Sequence, residues 1–384
     1  MPTDAPTTIS LLERLVAFDT TSRNSNLDLI AFAQETLEKA GAVTRLTYDA
    51  DKRKANLFAT LGPMLDGGYV LSGHTDVVPV DGQDWSSDPF KADVRDGRLY
   101  ARGAADMKGF LAVALALAPQ FATLALKRPL HFALSFDEEV GCVGVRRLIT
   151  DLNAADIRPS LAIIGEPTEM RVVGAHKAGA VIETIARGKP AHSSTPAQGA
   201  SAVMMVGEFI GALAKLGDEL AVERDEYFDP PYTTLQANVF SGGTAVNVLA
   251  PEAKVTWEYR ALPDQNPDTI MASAAKAADA IAERYKAGAP NARFQTAIKA
   301  AYPGLKRDLD SPAVRLACVL SGSNDVHAVS YGTEAGLFQA AGIPAVICGP
   351  GSIAQGHQAD EFVALDQLDA CAAFLRRVAQ KAAE

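Results

Sequence analysis

"PLHFALSFDEEVGCVGVRRLITDL", residues 129–152, decides the fold. The apolar run "PLHFALSF" reads as a buried strand, and "VGVRRLITDL", with apolar residues at helical spacing, reads as a helix. Between them stand Asp137, Glu138 and Glu139. A strand, a polar loop and a helix in this order point to a β-α-β arrangement, and ligands bind beyond the carboxyl ends of strands in such sheets. Adjacent carboxylates repel one another. Water screens them on a surface turn, but at the end of a buried strand a cation or a shared proton has to offset the repulsion. The stretch alone leaves both readings open.

The same rhythm runs outward on both sides. "YVLSGHTDVVP" reads as a strand and loop, "GFLAVALALAPQF" as a helix and "LAIIGEP" as a strand. Polar clusters again fall at the strand ends: "GHTD", "DEE" and "GEPT". From residue 180 the pattern changes. "AVIETIARG", "TTLQANVFSGG", "AKVTWEYRALP" and "ARFQTAIKAAY" read as strands, with helices over "GASAVMMVGEFIGALAKLGDEL" and "PDTIMASAAKAADAIAERYKA". That order is β-α-β-β-α-β, the split arrangement of ferredoxin-like domains. From residue 300 the α/β rhythm returns. The expectation is an α/β protein whose mainly parallel-sheet domain, residues 1–179 and 300–384, is interrupted by a ferredoxin-like domain, residues 180–299.

The bulk properties narrow the function. A chain of 384 residues exceeds what one hydrophobic core usually serves. Hydrophobic residues at 48% and charged ones at 21% are the balance of a soluble globular protein. A net charge of −10 without a basic stripe argues against nucleic acid. No uncharged apolar stretch reaches the length of about 18 residues that a membrane span needs. The stretch "MPTDAPTTISLLERLVAFDTTS" carries acids where a secretory leader needs bases, so a cytoplasmic protein is expected. Cys142, Cys318, Cys348 and Cys371 are scattered with no CxxC pair, which suits a reducing compartment and no cysteine metal site. No GxSxG elbow, Walker A loop or dinucleotide glycine fingerprint is present.

Five stretches carry polar groups able to converge: "SGHTDVVP", "RGAADMKG", "SFDEEVG", "IIGEPT" and "GSIAQGHQADEF". Two histidines and several carboxylates suit zinc or a similar divalent ion. Two ions about 3.5–4 Å apart need one carboxylate that bridges them.

Together with "GRLYARGAADMKG" and "GKPAHSSTP", these stretches resemble the M20 family of dinuclear zinc amidohydrolases, in the family's order and over nearly the whole chain. The resemblance implies a metallopeptidase-like catalytic domain with an inserted lid or dimerisation domain. It implies a homodimer through that domain, two Zn2+ (Co2+ is possible) and a small-molecule N-acyl amino acid substrate. His74 and Glu166 would hold one metal, Glu139 and His357 the other, and Asp106 would bridge them. Asp76 would orient His74. Glu138 would be the general base, taking a proton from the attacking water and passing it to the leaving nitrogen. His192, in the inserted domain, would reach the neighbouring subunit's active site as a donor to the acyl oxygen. Asn247 and Arg260 match positions that face substrate, and Arg260 would pair with its α-carboxylate. Gly332 and Thr333 would present backbone and hydroxyl groups.

"GPGSIAQGHQADEF" and "YGTEAG" resemble the branch of the family that acts on N2-acetyl-L-ornithine in arginine biosynthesis. Succinyl-diaminopimelate, or a broader set of N-acyl amino acids, is the alternative substrate. Glu334 in "YGTEAG" is a reading from charge: an acid would suit the substrate's δ-ammonium, and a solvated or helix-capping acid is the other reading. His131 reads as a strand core residue. His176 and His327, near loops, read as non-catalytic.

Overall fold

The opening stretch folds as strand, loop and helix. Leu130–Ser135 is buried at every residue, and Val143–Ala154 turns Val145, Leu148, Ile149 and Leu152 inward. The computed structural model describes residues 7–384, so the first six residues of the N-terminal stretch lie outside the described residues. In chain order the first elements are α1 (Thr8–Val16), α2 (Leu27–Lys39), β1 (Val43–Tyr48), β2 (Ala55–Leu61), β3 (Tyr69–His74), β4 (Asp93–Arg95) and β5 (Arg98–Tyr100). Then come α3 (Gly109–Ala122), β6 (Leu130–Ser135), α4 (Val143–Ala154), β7 (Leu161–Pro167) and β8 (Val172–His176). The middle of the chain holds β9 (Ala178–Arg187), α5 (Ala202–Leu220), β10 (Thr234–Gly242), β11 (Glu252–Ala261), α6 (Pro267–Tyr285) and β12 (Arg293–Tyr302). The last elements are α7 (Pro312–Ser321), β13 (Val326–Val329), α8 (Ala335–Ala340), β14 (Ala345–Gly349), β15 (Phe362–Ala364) and α9 (Leu365–Ala383). None of the helices among the described residues is long and apolar enough to cross a membrane.

Two compact units result. One comprises residues up to 175 with 307–328 and 333–384; the other comprises 176–306 with 329–332. The first is built on an eight-stranded sheet in the order β1-β2-β6-β3-β7-β14-β8-β13. At its centre β6, β3, β7 and β14 run parallel. β1 and β2 pair antiparallel, as do β2 and β6, and β14 and β8. This corrects the expected mainly parallel sheet to a mixed one. Only a short connection, residues 49–54, joins β1 to β2, and a connection that short returns the chain antiparallel, whereas parallel neighbours need a longer crossover. The central strands β2, β3, β6, β7 and β14 are buried at every residue, as strands covered on both faces are. α3, apolar nearly all round, is buried in the core beside α1, α2 and α9.

The second unit runs β-α-β-β-α-β. Its antiparallel sheet, in the order β10-β11-β9-β12, is backed by α5 and α6. Strand residues alternate cleanly in β11: Ala253, Val255, Trp257, Tyr259 and Ala261 are buried while their neighbours are not. Ser201 caps α5 by accepting the Met204 amide, and Asn266 caps α6 with Pro267 in the first turn.

Gly165, next to Glu166 in β7, lets α3 lie close to the strand, since a Cβ there would overlap the Phe110 ring. Gly165→Ala should cost about 1–3 kcal/mol of stability by overpacking. Gly207→Ala, at an exposed and open position of α5, should instead gain about 0.5–1 kcal/mol. Denaturant unfolding midpoints of the two variants check the contrast.

Candidate metal centre

Three neighbouring strands deliver the site. β3 ends in His74, which lies beside Ser135, the last residue of β6, and the chain leaves β6 directly into Asp137, Glu138 and Glu139. β7 carries Glu166. Ahead of α3, residues 104–108 form a wide turn in which Asp106 departs from helical backbone. His357, at φ 62°, follows the short turn Ile353–Gln355.

The side chains of these residues meet. His74 Nε2 lies 3.1 Å from Asp106 Oδ1 and 3.8 Å from Glu166 Oε1. His357 Nε2 lies 3.3 Å from Asp106 Oδ2 and 3.0 Å from Glu139 Oε2. Asp106 therefore turns one oxygen toward each histidine. Glu138 also comes within ligand range of His74 and Glu166. His74, Asp106 and Glu166 are buried, whereas the His357 side chain is 54% exposed.

Residues outside this set hold it in place. Glu361 is buried and accepts the Gly103, Ala105 and Asp106 amides at 2.9, 2.9 and 3.0 Å, together with Arg102 Nη1 at 2.7 Å. Burial pushes its carboxyl up, and those donors oppose that by favouring the anion. Asp76 works differently from the expectation. Its backbone carbonyl, 2.9 Å from His74 Nδ1, orients the ring, while its carboxylate stands 3.7 Å from that nitrogen. The carboxylate accepts the Glu138 and Glu139 amides at 3.0 and 3.3 Å and the Ser22 hydroxyl at 2.7 Å. Two residues beyond the histidine, the carbonyl folds back to the ring and the side chain is left to hold the acidic loop. Asp137, the third acid, pairs with Lys54.

The charges show what is wanted. Burial works against a proton on His74, but the Asp106 hydrogen bond and the Glu166 and Glu138 charges outweigh it and raise its pKa well above the usual imidazole value. Burial, reinforced by Asp106, pushes Glu139 up to about 7 and Glu166 well above the ordinary carboxylate range. Hydrogen bonds with Asp106 and Glu139 raise His357 to about 10. A divalent cation among these groups would relieve the same crowding of negative charge. Two imidazoles with a carboxylate for each, plus one carboxylate shared between them, fit two divalent ions.

The sequence profile of peptidase family M20/M25/M40 matches residues 70–381. The chain belongs to this family. Membership makes it a metal-dependent hydrolase, in keeping with the ligand set just described. The acetylornithine deacetylase of Myxococcus xanthus is 38% identical over 97% of this chain and 96% of its own. That of Pasteurella multocida is 34% identical over 95% of both. Among solved structures, an M20 family metallo-carboxypeptidase from Sulfolobus solfataricus shares the fold at a TM-score of 0.79, with 18% identity, covering 98% of this chain and 99% of that one.

Of the remaining predicted residues in this M20/M25/M40 member, His192, Asn247, Arg260 and Gly332 belong to the second unit, and Thr333 and Glu334 to the first. His192 and Asn247 are exposed in the second unit, where their segments pair: the Ser193 amide donates to the Asn247 carbonyl at 3.0 Å. Arg260 donates to Glu258 and to the Tyr302 hydroxyl. Gly332 abuts the Tyr302 ring. Thr333 is fully buried, and its hydroxyl accepts the Ala335 amide at the start of α8 instead of facing outward. Glu334 is also buried, bonded to the Ser135 hydroxyl at 2.5 Å and 3.4 Å from that of Ser72. It is neither a solvated acid nor displayed on a surface, because α8 presses it beneath the ends of β3 and β6. Burial pushes it up to about 7. His131 stacks on Phe58 and bonds Thr60 within the core. Sequence reasoning did not single out Glu361, although "GHQADEF" contains it.

Metal binding requires neutral imidazoles and ionised carboxylates, so it expels protons. Because His74 and His357 must each lose a proton to bind an ion, and Glu139 takes one up as pH falls through about 7, zinc affinity should fall by more than tenfold per pH unit on the acid side. Metal content measured in zinc buffers between pH 8 and pH 6 checks the slope and its sign. Asp106→Ala should lose more metal than Glu139→Ala or Glu166→Ala, and retention of two tightly held ions would rule out a shared ligand.

Proposed function

We propose that the chain removes the acetyl group from N2-acetyl-L-ornithine, releasing L-ornithine and acetate at a pair of divalent ions. The observation that carries the reaction class is Asp106, with one oxygen toward each histidine. The substrate rests on the relatives named acetylornithine deacetylase, matched over nearly their full length. His74 with Glu166 and His357 with Glu139 would each hold one ion, and Asp106 both. Bound there, zinc or cobalt would polarise the acyl oxygen and make water more acidic.

The protein's own part is proton transfer. An amide resists hydrolysis because its nitrogen is a poor leaving group, so a proton must reach it. Burial pushes the Glu138 carboxyl well above its ordinary range, against the pull of His74. A carboxyl poised this way can take a proton from water and hand it to the departing amine. Its backbone is held by Asp76, and its Oε1 accepts a weak bond from the Cys142 thiol at 3.3 Å.

The reading includes a homodimer through the second unit, with His192 acting as a donor to the acyl oxygen of the partner's substrate. What supports pairing is edge strand β10, which leaves Val239 and Phe240 58% and 48% exposed, since an open apolar edge invites a partner. Free cysteines at all four positions suit a cytoplasmic protein.

The test is a substrate panel with the metal-loaded protein, scored for acetate and succinate. Acetate from N2-acetyl-L-ornithine should dominate, and preferred release of succinate from succinyl-diaminopimelate would replace the reading. Glu138→Gln should keep its metal and lose about 10²–10⁴-fold in turnover. Loss of metal in this variant would make Glu138 a ligand.

A further inference from the structure

Arg260, Gly179 and Tyr302 stand in one row across three neighbouring strands. Arg260 of β11 lies opposite Gly179 of β9, and Tyr302 of β12 lies opposite the same glycine. Residues directly opposite in antiparallel strands project to the same face. That face is turned away from α5 and α6, because the alternate residues Tyr259, Ala261, Ala178 and Ala180 are the buried ones. Between two long side chains the middle strand contributes none. The Tyr302 side chain lies across the gap: a Cβ on Gly179 would collide with its hydroxyl. Its ring also rests on Gly332, where a Cβ would overlap it, and His176 meets it edge-on at 6.4 Å.

The outcome is a donor pair. Arg260 Nη1 donates to the Tyr302 oxygen, and Nη2 donates to Glu258 Oε2 at 3.0 Å. A guanidinium has N–H donors to spare beyond these. The tyrosine oxygen is already an acceptor, so its own proton points elsewhere, and among the described residues it has no acceptor. Arg260 and Glu258 remain about a third exposed, at 34% and 32%. Glu258 offsets part of the arginine's charge. An anion at Arg260 therefore benefits from a second, neutral donor that brings no competing carboxylate.

We infer that Tyr302 is a specificity residue: its hydroxyl and the Arg260 guanidinium together bind the α-carboxylate of the N-acyl amino acid, and Gly179 and Gly332 make the space that sets the hydroxyl there. This rests on the proposed N-acyl amino acid substrate and on the expectation that Arg260 pairs with its α-carboxylate, and it names a further residue for that contact. Sequence alone does not suggest it, because the three positions are brought together only by strand register.

The test uses the metal-loaded full chain and whichever N-acyl amino acid it hydrolyses fastest, compared with the α-carboxamide of the same compound. Tyr302→Phe should raise KM for the acid about tenfold, the usual weight of a hydrogen bond to a charged group. The loss should fall on KM and not on kcat, and discrimination between acid and amide should shrink by the same factor. Gly179→Ala, which crowds the hydroxyl, should act in the same direction. Metal content and unfolding midpoint serve as folding controls, and Tyr302→Phe decides the matter should Gly179→Ala fold poorly. If Arg260→Gln reduces discrimination and Tyr302→Phe does not, Tyr302 is only a neighbour and the inference is overturned while the role of Arg260 stands. If both variants leave discrimination unchanged, the carboxylate reading of Arg260 falls, and this inference with it. Equal losses on acid and amide in Tyr302→Phe would show a structural role and also overturn it.

Discussion

Mutual repulsion among buried acids is the constraint on which this structure turns. Asp76, Asp106, Glu166, Glu334 and Glu361 are all buried, and Glu138 and Glu139 lie beside them. The cations that share that space are already engaged: Arg102 pairs with Glu361, the buried Lys108 interacts with Glu361 and Asp76, and His74 is itself a candidate ligand. Left as it is, such a cluster would hold protons or push its members apart. The fold divides the problem. Asp76 and Glu361 are engaged by backbone amides of the chain itself. Among the described residues the Asp106, Glu139 and Glu166 carboxylates accept no backbone amide, and these are left for a cation.

The division also explains how neighbouring residues of one type come to differ. Asp137 faces Lys54, Glu138 faces the Cys142 thiol, and Glu139 faces His357. Three consecutive side chains on an irregular loop point three ways. Asp76 holds the middle of that loop through main-chain amides, so their directions do not depend on the acids' own charge state.

Much of this could be read from the chain and some could not. The central strands announce themselves because burial on both faces demands unbroken apolar runs, as in "LAIIGEP" and "PLHFALSF". Strand direction does not, since it depends on the connection and not on the strand's own residues; hence the sheet is mixed where parallel pairing was expected. The histidines and acids of the metal centre stand at strand ends and loops, where polar residues interrupt apolar ones, and that break is visible in one dimension. The burial of Thr333 and Glu334 is not visible, because "YGTEAG" looks like an open loop until α8 is packed against β14 and β7. The task of Glu361 was hidden for a related reason: every one of its partners lies more than 250 residues earlier in the chain.

That last separation has a bearing on how the protein is made. Glu361 joins Asp106 across 255 residues and Arg102 across 259. During synthesis His74, Asp106, Glu139 and Glu166 all leave the ribosome well before His357 and Glu361 do. Until then the turn that carries Asp106 lacks the carboxylate that gathers its amides, and the second histidine is missing. Up to that point a nascent chain offers an ion four of these five candidate ligands and lacks His357. The full set of candidate ligands, and the carboxylate that gathers the Asp106 turn, therefore exist together only after residues 357–361 have been made.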